Sequence, residues 1–184
     1  MTVLDFFARW RVRLGYLLAI VVLWLARPSL SSIGLGALVG AVGLAIRACA
    51  AGYLHKQQIL TVTGPYAHTR NPLYFGSSIL MIGAAVAMNS WWVAALLVSY
   101  FALVYSLVMR REEMELRHQH GAAFDAYAAA VPLFFPRISA GASATRNEGV
   151  SFSWKQYQKN HEYRAAIGFV LLLVGLLVIW RLRV

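Results

Sequence analysis

Two short stretches hold most of the side chains in this chain that are equipped for chemistry. The first, Thr63 to Gly76, reads Thr-Gly-Pro-Tyr-Ala-His-Thr-Arg-Asn-Pro-Leu-Tyr-Phe-Gly and places Tyr66, His68, Arg70, Asn71, Pro72 and Tyr74 close together. The second, Arg110 to Arg117, carries Glu112 and Glu113, with Tyr127 a little further on. A guanidinium such as that of Arg70 grips a carboxylate at two points. Glu112 or Glu113 can accept from an ammonium group or lie beside another cation, and Tyr66, Tyr74 and Tyr127 offer ring faces to a positive charge. His68 or a glutamate could serve as a base. The plain alternatives are a solvated loop for the first stretch and, for the second, helical ion pairs of Arg111 with Glu115 and Glu113 with Arg117.

These stretches interrupt a chain that is otherwise mostly hydrocarbon. Of its 184 residues 60% are hydrophobic and only 13% charged, too apolar for an ordinary soluble core, so the chain reads as a polytopic all-α membrane protein. A single domain, 1-184, follows from the length. Cys49 is the one cysteine, which excludes an internal disulfide and argues against a cysteine metal site; in an apolar run it reads as a small packing residue.

About five membrane helices are expected. The first runs to Ala26 and begins within Phe6 to Trp10; it lacks a small-residue cleavage site, so it reads as a span and not as a signal peptide. The second covers about Ser29 to Leu54. Its glycines superficially match a dinucleotide-binding signature, but no strand precedes them; Gly36, Gly40 and Gly43 make a close helix-packing face instead. Arg47, near the inner end of this helix, can snorkel to the headgroups or turn inward, and snorkelling is the expectation. Gly64-Pro65 and Asn71-Pro72 are turn signals, each proline pushing its predecessor out of the helical region. Leu73 to Met88 and Trp91 to Met109 then form a helical hairpin, with Trp91 and Trp92 suited to an interfacial belt and the fourth helix continuing through Arg117. His118 to Pro136 is expected on the membrane surface, Ser139 to Gly149 as a loop, and Phe152 to Arg164 as an interfacial helix leading into a fifth span, Ala165 to Trp180.

Basic residues sort onto two sides of these spans. Most, from Arg9 to Arg164, share one side, and Arg27, Arg181 and Arg183 take the other, so the N-terminus, the Thr63 to Gly76 loop and the Arg110 to Arg164 segment are expected in the cytoplasm. The net charge of +10 is then a topology signal and an attraction to anionic membrane lipids; no nucleic-acid motif accompanies it. Because helices three and four form a hairpin, their ends near Tyr74 and Arg110 should lie side by side. Arg70 and the glutamates can then share one pocket.

Gly64-Pro65-Tyr66, Arg70-Asn71-Pro72, Tyr74 and Gly76 resemble the Gly-Pro-Tyr, Arg-His-Pro, Tyr, Gly signature of the isoprenylcysteine carboxyl methyltransferase family, which is related in fold to phospholipid N-methyltransferases. Glu112-Glu113, Leu116, Gly121, Phe124, Tyr127 and Val131-Pro132 resemble its second motif. The resemblance covers about 64-136, leaving 150-184 as an added interfacial segment and helix. It implies an integral membrane enzyme that binds S-adenosyl-L-methionine in a cytoplasmic pocket without a Rossmann fold. The cofactor would be bound by Tyr66, His68, Arg70, Asn71, Pro72, Tyr74, Glu112, Glu113 and Tyr127, Arg70 and Glu113 would be catalytic, and no metal is called for. The methyl acceptor would be lipidic or amphipathic. An isoprenylcysteine-type carboxylate needs no base, whereas the amine of phosphatidylethanolamine must first lose a proton; a non-catalytic scaffold that keeps the pocket is the third reading. The sequence departs from the pattern at Asn71, where many members carry His, at His120, where an aromatic is usual, and at Ala128 to Ala130, where the eukaryotic enzymes carry basic residues.

Overall fold

A computed structural model describes residues 17–55, 59–139 and 151–183, and every regular element among them is helical. Residues 17–25 form α1. There follow α2 (Leu30–Tyr53), a 3₁₀ turn (Gly64–Ala67), α3 (Pro72–Met88) and α4 (Trp91–His120), the last with a π-helical turn at Phe101–Tyr105. Then come α5 (Ala122–Ala130), α6 (Trp154–Lys159) and α7 (Tyr163–Arg183). The expected start of the first span, within Phe6 to Trp10, and the loop at 140–149 lie outside the described residues.

Local chemistry sets these boundaries. Ser29 and Ser32 form a reciprocal capping box at the start of α2, the Ser29 Oγ accepting from the Ser32 amide at 3.1 Å and the Ser32 Oγ accepting from the Ser29 amide at 2.9 Å. Pro72 opens α3 at a position where its missing N–H costs nothing. Asn89 ends α3 in the left-handed region (φ 49°), a conformation that asparagine tolerates better than most residues. Gly121 (φ 51°, ψ −128°) breaks α4 from α5 with a backbone that a side chain would strain.

Among the described residues α2, α4 and α7 are long and apolar enough to cross a membrane, and α3, with 17 residues, is a shorter apolar helix. At 1.5 Å per residue α3 is roughly 25 Å long, close to the thickness of a hydrocarbon core. Leu35, Leu38 and Val42 on α2 and Val170, Leu171 and Val174 on α7 all face outward, a surface suited to lipid. Cys49 faces outward as well, and is not the packing residue its apolar run suggested: the buried face of α2 is taken by the glycines instead.

That glycine face is the main joint of the fold. A Cβ on Gly36 would lie 2.5 Å from the Gly83 carbonyl oxygen, and one on Gly43 would lie 2.7 Å from the Gly76 oxygen, so the backbones of α2 and α3 touch. The Phe169 ring of α7 covers Gly40. At one end of the bundle Val22, Ile33, Met88, Val93 and Leu176 form an apolar core, closed by the Arg27 amide on the Met88 carbonyl (2.8 Å) and by Arg183 on the Ala26 carbonyl. The polar stretches gather at the opposite end.

Candidate active site

The first chemistry-bearing stretch is sewn to residues 132–137 by hydrogen bonds from main chain and side chains. The Arg70 amide donates to the Pro132 carbonyl (2.9 Å), the Arg137 amide to the His68 carbonyl (3.0 Å), the Thr69 hydroxyl to the Phe134 carbonyl (2.9 Å), and the Asn71 Nδ2 to the Leu133 carbonyl (3.0 Å). The Tyr127 hydroxyl donates to the Tyr66 carbonyl at 2.7 Å, over a small core of Val62, Phe124, Tyr127 and Val131. Burial pushes the Tyr127 and Tyr66 phenols above their usual range, so both stay protonated donors at neutral pH.

Upon this frame sits a cavity of about 640 Å³, lined from α2 by Arg47, from the 63–74 stretch by Tyr66, Arg70, Asn71, Pro72 and Tyr74, from α4 by Glu112, Glu115 and Gln119, and by Glu162. Arg70 Nη1 pairs with Glu113 Oε1, both side chains largely buried, and the Arg70 guanidinium lies 6.0 Å from the centroid of the buried Phe124 ring. Tyr74 donates to Glu112 Oε1 at 2.6 Å. The second charged pair is Arg47 with Glu162, at 2.6 Å.

A smaller cavity of about 300 Å³ adjoins the first, sharing Arg47 and Tyr74 with it and otherwise lined by Ser77, Tyr100, Val104, Tyr105 and Val108. It lies against the π turn of α4, a local irregularity that re-aims the side chains of Tyr100 to Tyr105. Tyr105 packs edge-on to Tyr74 at 5.4 Å and stacks on Phe101 at 4.5 Å.

Of the residues named from sequence, Tyr66, Arg70, Asn71, Pro72, Tyr74 and Glu112 line the larger cavity, while His68, Glu113 and Tyr127 stand behind it. His68 Nδ1 donates to the Arg137 carbonyl at 2.9 Å, which commits that nitrogen to holding the loop. Glu113 backs Arg70 and does not take Arg117 as a helical partner; Arg117 turns to Asp125 instead, at 2.7 Å. Arg47 does not snorkel. It reaches across Gly76, where a Cβ would meet its Cγ at 2.8 Å, and donates to the Ser77 Oγ and the Leu73 carbonyl. Inward pairing wins because Glu162, Ser77 and the Leu73 carbonyl engage both Nη nitrogens inside the bundle.

Glu162 was missed by motif reasoning because it lies far along the chain from both stretches. One signal was present: it is an acidic residue among Lys155, Lys159 and Arg164 at the edge of an apolar span, where a carboxylate needs a reason to be.

A family profile described as phospholipid methyltransferase matches residues 10–123. The chain is 36% identical over 118 residues to the nickel-cobalt-cadmium resistance protein NccN of Alcaligenes xylosoxydans xylosoxydans, a stretch covering 63% of this chain and 54% of the relative. It is 34% identical over 140 residues to the cobalt-zinc-cadmium resistance protein CzcN of Cupriavidus metallidurans, covering 71% of this chain and 63% of the relative. The chain therefore spans less than two thirds of the length of either relative. No solved structure matches the chain.

Proposed function

This chain belongs to the phospholipid methyltransferase family, within the wider group of isoprenylcysteine-methyltransferase-like membrane enzymes, and from that premise we propose that it moves a methyl group from S-adenosyl-L-methionine to a lipidic or amphipathic acceptor. The observation that carries the reading is the larger cavity, in which both motif stretches converge on one volume. Its size falls within the roughly 300–1,000 Å³ of small-molecule sites.

The residues present fit the cofactor. The lining carries three carboxylates (Glu112, Glu115, Glu162) and two guanidiniums (Arg47, Arg70), with Glu113 paired to Arg70 from behind, so the site is net negative and suits a cofactor with a single net positive charge. Arg70 lines the cavity with a guanidinium that keeps its charge, a partner suited to the carboxylate of the cofactor. Glu112 suits an ammonium group, and the Tyr66 and Tyr74 rings suit a sulfonium. When bound, S-adenosylmethionine supplies an electrophilic methyl group on that sulfonium. The protein's own part is alignment and exclusion of water: Glu113 fixes Arg70, Tyr127 fixes the Tyr66 loop, and residues 132–137 brace the 68–71 backbone. A lipid-soluble acceptor would use the smaller cavity, where Arg47 is the one charged residue among the described lining, meeting the cofactor at Tyr74.

Carboxyl O-methylation of an isoprenylcysteine-type acceptor is the finer reading. Phosphatidylethanolamine N-methylation is the second, favoured by the description of the family profile and by carboxylates in the cavity able to take an ammonium proton. The distribution of basic residues favours a cytoplasmic position for this end of the bundle. The names of the two relatives connect them with metal resistance, and a lipid-modifying enzyme could serve that physiology without binding metal itself; a scaffold role would do so without turnover.

Titration of purified protein with S-adenosylhomocysteine should give saturable binding, and labelled methyl transfer to prenylcysteine analogues and phospholipid vesicles should identify the acceptor. Alkali releases methanol from an ester and leaves an N-methyl group intact. Absence of any binding of S-adenosylmethionine or its demethylated product would sink the enzyme reading; binding without transfer would favour the scaffold.

A further inference from the structure

A third cavity lies at the end of the bundle away from the two already described. It measures about 680 Å³ and runs between the start of α2, the end of α3 and the start of α4. Its lining changes character with depth. Ser29, Ser31, Asn89 and Ser90 ring the mouth at the helix ends, whereas Leu35, Ile82, Val86 and Leu97 line the part further in. Ile82 and Leu97 each stand seven residues from the hairpin turn at Asn89 and Ser90. That is roughly 11 Å along the helix axes, so the cavity reaches from the interface well into the hydrocarbon layer. Leu35, Ile82, Val86 and Val98 are exposed, which leaves it open sideways to lipid, and the exposed Trp91 on its wall suits an interfacial position.

Charge decides which lipid fits. The carboxylates of the described residues, Glu112, Glu113, Glu115, Asp125 and Glu162, all belong to the opposite, polar end. The end with the third cavity carries Arg27, Arg181 and Arg183, all exposed. Arg27 is tied to the mouth by its main chain: its amide donates to the Met88 carbonyl, its carbonyl accepts from Asn89 Nδ2 at 3.3 Å, and Ser29 follows two residues later. A guanidinium beside hydroxyl and amide groups suits a phosphate, and the apolar slot below suits an acyl chain.

We propose that this third cavity binds an anionic phospholipid of the leaflet at that end, its phosphate at Arg27 and the serine mouth and one acyl chain against Ile82 and Leu97. The lipid is neither methyl donor nor acceptor, since it lies at the far end from both other cavities. It fills the space between α2, α3 and α4 and ties the α3–α4 hairpin to α2.

The test reconstitutes the full chain in phosphatidylcholine bilayers doped with brominated phosphatidylglycerol or brominated phosphatidylcholine. Quenching of Trp91 fluorescence is read as the difference from Trp91→Phe. Phosphatidylglycerol should bind at least about fivefold more tightly than phosphatidylcholine, and soluble glycerol phosphate should not displace it. Arg27→Gln should bring the preference close to unity, while Lys159→Gln, which removes one exposed positive charge from the polar end, should leave it intact. Ala85→Phe, which fills the cavity, should lower quenching by phosphatidylglycerol to the level of phosphatidylcholine; Ser31→Phe, at an exposed position on the mouth, does the same should Ala85→Phe not fold. Equal quenching by the two lipids, a preference that survives Arg27→Gln, an equal loss with Lys159→Gln, or displacement by glycerol phosphate would each overturn the proposal. So would near-quantitative disulfide joining of chains carrying Cys49→Ser and Ser31→Cys, which would assign the cavity to a second copy of this chain.

Discussion

At Arg70 the chemistry of the site depends on a contact the side chain makes behind the cavity. Glu113 holds the guanidinium from the rear while the front faces the open volume. Arg70→Ala should therefore cost at least tenfold in S-adenosylhomocysteine affinity, about 1.4 kcal/mol, and Glu113→Gln should cost less, because the cation remains but loses its anchor. Calorimetric titration of the two variants checks the order. Tyr127 acts at the same scale. Tyr127→Phe leaves the buried Tyr66 carbonyl without its donor and should lower stability by about 1–3 kcal/mol, measurable as a shifted unfolding midpoint in detergent. The pH dependence follows from the same burial. Both phenols have folded pKa values raised above the ordinary tyrosine value, so the native state holds protons that the unfolded chain gives up. Their contribution is fully present below about pH 10 and is lost as pH rises beyond it. Absorbance titration should find two tyrosines that ionise only as the protein unfolds.

Helix α2 does two jobs with one face, packing α3 through glycine and sending Arg47 across Gly76 to the site. The backbone contact leaves no room for a methyl group where the obstacle is main chain. Gly83→Ala, whose Cβ would lie 2.5 Å from the Gly40 nitrogen, should destabilise by about 1–3 kcal/mol and disturb the cavity by separating the helices. Gly34→Ala, with open space around it, should be neutral or stabilising by up to about 1 kcal/mol from helix propensity. Thermal unfolding of the two variants side by side separates the packing effect from propensity. The π turn in α4 belongs to this scale too: it places Tyr100, Val104 and Tyr105 on the wall of the smaller cavity.

For the molecule as a whole, the bundle has one end closed by Arg27, Met88 and Arg183 and another built from loops, carboxylates and guanidiniums. On the cytoplasmic assignment of the second end, a Cys49→Ser background carrying Ser139→Cys should react with a membrane-impermeant thiol reagent only after the cells are opened. Ser31→Cys, at the far end of α2, should react from outside. The reverse pattern would invert the orientation and place the proposed cofactor cavity on the far side of the membrane from the cytoplasm.

Composition and glycine spacing were enough to determine an all-helical membrane chain, because the hydrophobic content of a span and the small-residue face of a helix pair are local properties. The helical boundaries at Ser29, Pro72 and Asn89 were legible for the same reason, and so were Arg70, Tyr74 and Glu112, which sit in stretches whose polarity stands out against apolar neighbours. Only the tertiary structure decided which charges meet. Arg117 had a helical partner within reach and took Asp125, Glu113 took Arg70, and Arg47 forsook the headgroups for Glu162, more than a hundred positions away. Ion pairing acts over a few ångströms of space and is indifferent to distance along the chain, so a partner brought in by a docked C-terminal segment leaves no mark in either motif.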